Sequence, residues 1–101
     1  MTTNLNIFIR ENKAYRFHFD DKDTSDIKMK RYLRTLNQIQ DEEELVKTIK
    51  SQCPAQKDYV PGAERTWQFK YGNEIVDVMD SNWNEKAQNY TCGNLIDEIK
   101  L

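Results

Sequence analysis

Glycine, proline, cysteine and histidine are all scarce in this chain, which holds three, two, two and one of them in 101 residues. Each shortage removes a class of chemistry. Three glycines are too few for most loops that wrap a phosphate in backbone N–H groups, and GxxxxGK[ST], GxGxxG, HExxH and GxSxG are all missing. Cys53 and Cys92 stand 39 residues apart, and neither has a second Cys or a His at ligand spacing. CxxC redox chemistry and a zinc knuckle are thereby excluded, and two free thiols are expected. Asp20, Asp21 and Asp23 lack the ordered spacing and the turning glycine of an EF-hand, so neither a dedicated metal nor a cofactor is expected. No apolar run approaches the roughly 20 residues that span a bilayer. The opening MTTNLNIFIREN also lacks the cationic start and apolar stretch of a secretory signal. The expectation is a cytoplasmic protein, in which the sequon Asn89-Tyr90-Thr91 carries no weight.

What is present points to one compact domain over residues 1–101. Apolar residues make up 38% and charged residues 32%, which is polar for a globular chain, yet five Tyr, four Phe and two Trp argue against disorder. A domain of this size buries about 65% of its unfolded surface, enough for a core without metal or disulfide staples. Net charge is only -2 but unevenly spread. Residues 1–40 carry eight basic and five acidic groups, net +3, whereas residues 74–101 carry two basic and six acidic, net -4.

Local pattern gives the elements. Leu5, Ile7 and Ile9 alternate on one face of residues 5–10, and Tyr15, Phe17 and Phe19 on one face of residues 14–19, so two strands with the polar turn Glu11-Asn12-Lys13 form a hairpin. A helix starts near Ser25 or Asp26, with Met29, Tyr32, Leu33, Leu36 and Ile39 as its apolar stripe. Asp41 to Glu44 open a second helix through Leu45, Val46 and Ile49, because carboxylates in the first turn suit the positive end of the helix dipole, and Pro54 ends it. Residues 54–64 hold both prolines and form the longest irregular stretch, the natural mobile or binding loop. Trp67, Phe69 and Tyr71 alternate again, and Gly72-Asn73 turns into Ile75-Val76-Asp77-Val78-Met79, a second hairpin. The segment 94–101 reads equally as a short helix or a final strand. The expected architecture is α+β in two layers, an antiparallel sheet of about four strands from two hairpins with two helices on one face, in the order ββααββ plus a short C-terminal element.

Chemistry has few carriers. His18 is the only histidine, and strand alternation places it beside Arg16 and Asp20, away from the apolar face, as an exposed imidazole. Catalysis would require Cys53 or Cys92 next to it. With no constellation assembled by the sequence, no catalytic residue and no enzymatic activity are expected. Lys28, Lys30, Arg31 and Arg34 decorate the first helix and are the candidate nucleic-acid contacts, disfavoured by the acidic groups nearby and a pI of about 5.4. The acidic C-terminal half offers the better surface. Glu74, Asp77, Asp80 and Glu85, with Trp83 among them, suit a cationic protein partner, since complementary charge speeds encounter and buried aromatics hold the complex. The expected class is a monomeric or weakly dimeric inhibitor or immunity protein that neutralises a basic toxin, nuclease or defence enzyme. The Lys-, Asn- and Ile-rich, Ala-poor composition is compatible with a bacterial or phage origin.

Overall fold

The computed structural model describes residues 1–101, apart from the side chain of Cys92. The described residues form five strands and two helices: β1 (Thr2–Arg10), β2 (Lys13–Asp20), α1 (Asp26–Gln38), α2 (Glu42–Gln52), β3 (Arg65–Lys70), β4 (Ile75–Asn84) and β5 (Asn89–Lys100). The helices start where capping chemistry places them. Ser25 accepts the Lys28 N–H and Asp41 accepts the Glu44 N–H, each satisfying a donor that the first turn leaves free.

The strands make one mixed sheet in the order β2-β1-β3-β4-β5. The class is α+β as expected, but the sheet is neither four-stranded nor antiparallel throughout. Both hairpins form, and β1 and β3 then join them as parallel neighbours, Leu5 opposite Trp67 and Ile7 opposite Phe69. Parallel pairing follows from the connection: the chain leaves β2, runs through both helices and returns on the far side of β1. The undecided C-terminal segment is a strand, because Ile99 and Leu95 pair across to Val76 and Met79.

One face of this sheet carries the helices. Leu5, Ile7, Phe19, Trp67, Phe69, Val76 and Val78 meet Met29, Leu33, Leu36, Leu45, Ile49 and Cys53 in a single buried core. Phe19 meets Trp67 edge to face at 5.7 Å. Because side chains alternate along a strand, the intervening residues Asn4, Asn6, Arg16, His18, Thr66, Gln68, Asp77 and Met79 belong to the opposite, helix-free face. Helix α1 is fixed to the β3–β4 turn by Asn37, whose amide accepts the Gly72 N–H and donates to the Asn73 carbonyl, each at 2.8 Å.

Candidate functional site

Residues 54–64 do not hang free. The Thr24 hydroxyl donates to the Pro54 carbonyl, and the segment then passes the outer edge of β2, where the His18 N–H donates to the Lys57 carbonyl. From there it crosses the helix-free face. Asn4 Nδ2 donates to the Val60 carbonyl at 2.9 Å, and Asn4 Oδ1 accepts the Val60 N–H at 3.3 Å and His18 Nδ1 at 2.9 Å. Since Oδ1 is an acceptor, Nδ1 of His18 carries the proton. Arg16 stacks its guanidinium on Tyr59, 5.9 Å from the ring centre. The loop expected to be mobile is thus tied down at several points.

This arrangement corrects the reading of His18. It lies on the face that alternation assigns, but the crossing segment covers it and it is only 7% exposed. Burial draws its basicity down, the Asp20 carboxylate offsets part of that, and Lys57 adds to the lowering. Cys53 sits in the core on the helical side of the sheet, so the strand layer separates it from the imidazole. Burial also raises the Cys53 thiol above the usual range, although the Ala55 and Gln56 N–H groups oppose the shift. The Cys92 side chain lies outside the described residues.

The acidic turn after β2 is neutralised internally. Asp23 pairs with Lys57, Asp21 with the N-terminal amine at 3.5 Å, and Asp26 with the largely buried Arg65 at 2.6 Å. Among the described residues no group of His, Cys, Asp and Glu is arranged to hold a metal ion. No helix is long and apolar enough to cross a membrane.

The predicted partner-binding residues all lie on β4 and its two turns, spread along it instead of gathered. Glu74, at the β3–β4 turn, is about 30 Å along the strand from Trp83 at about 3.3 Å per residue. Its nearest neighbours are at the other end of the molecule, where it shares a cleft of about 340 Å³ with Arg34, Asn37 and Leu101. Asp80 serves the strand itself. β5 has twelve residues against ten in β4, and the surplus is taken up by two bulges, between the pairings of Val78 and Met79 and between those of Met79 and Ser81. Asp80 Oδ1 accepts the Asn94 N–H at 2.7 Å within the second bulge.

Beyond the Arg65–Asp80 pairing β4 and β5 continue as a two-stranded arm, with Asn82, Trp83 and Asn84 opposite Thr91, Tyr90 and Asn89. Trp83 and Tyr90 meet edge to face at 5.0 Å while remaining 51% and 44% exposed. Glu85 is exposed at the tip. The arm leans on the crossing segment: Ser81 donates to the Ala63 carbonyl at 2.6 Å, and the Tyr90 ring lies so close to Gly62 that a Cβ there would fall 2.7 Å from it. Tyr90 and its packing on Gly62 were missed in the sequence, because the pairing that sets Tyr90 opposite Trp83 is not visible in a stretch as polar as residues 81–91. No protein family, curated protein or solved structure matches this chain.

Lys28, Lys30, Arg31 and Arg34 do form a cationic surface on α1, and none of them takes part in an ion pair among the described residues. The exposed aromatics Tyr59, Trp83 and Tyr90 belong to the crossing segment and the arm, on the other side of the sheet. The α1 cations and the exposed rings therefore do not share a surface.

Proposed function

We propose that the chain is a small partner-binding protein without catalytic activity, an inhibitor or immunity protein of bacterial or phage type that neutralises a basic toxin, nuclease or defence enzyme. The observation that carries this reading is the exposed Trp83–Tyr90 pair on the arm, with Glu85 at its tip and Asp77, Asp97 and Glu98 further along β4 and β5, none of which takes part in an ion pair among the described residues. An amphipathic aromatic pair raised on a ribbon is a suitable anchor for a protein surface, and unpaired acid on the same two strands selects a basic one.

The test is affinity capture from the native host by wild type, Trp83→Ala and Asp77→Lys, with mass spectrometry of what is retained. The expected result is a cationic protein held one to one by wild type and released by salt. Truncating a central aromatic anchor costs about 2 kcal/mol or more, so Trp83→Ala should weaken retention roughly 30-fold. Equal retention by all three proteins would remove the site.

The nucleic-acid alternative, through Lys28, Lys30, Arg31 and Arg34, is disfavoured by the separation of cations from aromatics. It predicts filter retention of oligonucleotides that falls steeply with salt.

A further inference from the structure

Resting on that reading of the arm, we infer that the partner's footprint is the arm end of the whole helix-free face, including the crossing segment, and that the partner docks there by side chains, presenting an arginine among apolar groups. Three observations define the surface.

The first is an apolar patch laid over one row of the sheet. His18, Asn4, Thr66, Met79 and Leu95 stand side by side across β2, β1, β3, β4 and β5. Val60 is hung on Asn4, so Val60, Met79 and Leu95 share that row, with Tyr59 beside them and Trp83 and Tyr90 beyond. Tyr59, Val60, Trp83, Tyr90 and Leu95 are each 40–51% exposed. Two segments more than twenty residues apart in the chain thus make one patch, joined where Tyr90 lies on Gly62.

The second is the next row of the same face. Arg16, Asn6, Gln68, Asp77 and Glu98 stand side by side. Asp77 and Glu98 are direct cross-strand partners of like charge, an arrangement that destabilises a sheet unless a cation intervenes. Among the described residues no cation pairs with either. A planar guanidinium with its fork of donors fits between two carboxylates better than a point ammonium does.

The third is what excludes the rival occupants. Strand addition to the free edge of β5 is obstructed by its two bulges and by Asp97, whose carboxylate already accepts the Glu98 N–H at 2.8 Å. A second copy would bring the -4 of residues 74–101 against itself.

The probe is a short amidated Arg/Leu amphipathic peptide, with its Glu/Leu counterpart as control, titrated into the full chain and followed by amide chemical shifts. Expected are shifts at Val60, Met79, Leu95 and Glu98 with the Arg/Leu peptide alone. Leu95→Lys and Val60→Lys, both at exposed positions and checked for an unchanged amide spectrum, should weaken binding about tenfold, while Lys30→Glu leaves it within twofold. Shifts confined to residues 83–90, lost in Trp83→Ala and untouched in Leu95→Lys, would leave the arm reading standing and overturn this footprint. Shifts centred on Asp41 to Glu44 would overturn both. Binding that survives Leu95→Lys but is lost on N-methylating the peptide backbone would mean strand addition, and a concentration-dependent dimer without peptide would mean a second copy; either sinks the proposal.

Discussion

Asn4 and Val60, 56 residues apart, exchange hydrogen bonds in both directions, the side-chain amide of one reproducing the pairing of a strand with the backbone of the other. The same Oδ1 also takes the proton of His18 Nδ1. A single buried side chain therefore ties both the middle of the crossing segment and the imidazole to β1. Asn4→Ala removes three hydrogen bonds and strands the Val60 N–H and the imidazole, and leaving a buried polar group unmet costs about 1–3 kcal/mol. Urea denaturation should show a loss in that range, and hydrogen exchange at Val60 should accelerate well beyond that at Phe69. Unchanged Val60 exchange would show that the segment is held elsewhere.

His18 gives this clamp a pH dependence with a definite sign. The fold favours the neutral imidazole, so the folded pKa lies below 6.5, its ordinary value. Between the two values the unfolded chain binds more protons, and stability rises with pH wherever that is so. The contribution is fully present above about 6.5 and declines as pH falls toward the folded pKa. Asp20, also held below its usual value, acts only in the carboxylate range. Urea midpoints for wild type should fall between pH 7.5 and pH 5.5 by more than those of His18→Gln. Parallel slopes for the two proteins would remove His18 as the cause.

The difference between what was legible and what was not follows the range of the interactions. The helix starts near Ser25 and at Asp41, Leu33 and Ile49 as core, and the Gly72-Asn73 turn are fixed by neighbours a few residues away, and all were readable. The parallel register of β1 on β3 was not, because alternation shows that Leu5 and Trp67 are buried without saying which strands are adjacent. His18 illustrates the same limit. Its face was legible, but its burial depends on Val60 and Lys57, some forty residues on. Of the candidate site, Trp83 was singled out by its type and surroundings, whereas Tyr90 and Leu95 join it through the pairing of β5 on β4, and Val60 through Asn4.

Gly93 is required by packing. A Cβ there would stand 1.9 Å from Asp80 Oδ1 and 2.8 Å from Asn82 Nδ2. Gly93→Ala must therefore push the Asp80 carboxylate off the Asn94 N–H, and overpacking of this kind costs about 1–3 kcal/mol. Asp80→Ala alone loses the hydrogen bond that orders the bulge, and in that background the added methyl meets only the end of the Asn82 side chain, which can swing aside. The double variant should be less destabilised than the sum of the singles, by more than about 0.5 kcal/mol in a thermodynamic cycle. Strict additivity would mean that the clash is relieved by backbone movement.

Tyr32 and Cys53 form a buried pair in which polarity contributes nothing to the fold. The Tyr32 hydroxyl has no partner at hydrogen-bond geometry, and burial, with the adjacent Cys53, pushes its ionisation far above the usual range. Removing an unmet buried hydroxyl while keeping the ring is close to neutral or stabilising. Tyr32→Phe should thus change the unfolding free energy by less than about 0.5 kcal/mol in the unfavourable direction, whereas Leu33→Ala on the same helix should cost about 2–5 kcal/mol. The thiol supplies an independent readout. In a Cys92→Ser background Cys53, 1% exposed and held protonated by burial, should alkylate only as fast as the protein unfolds, and the rate should track urea-induced unfolding. If Tyr32→Phe destabilises by as much as Leu33→Ala while native-state labelling turns fast, the hydroxyl is holding the C-terminal end of α2 in place and the pair is structural in its polarity as well as its shape.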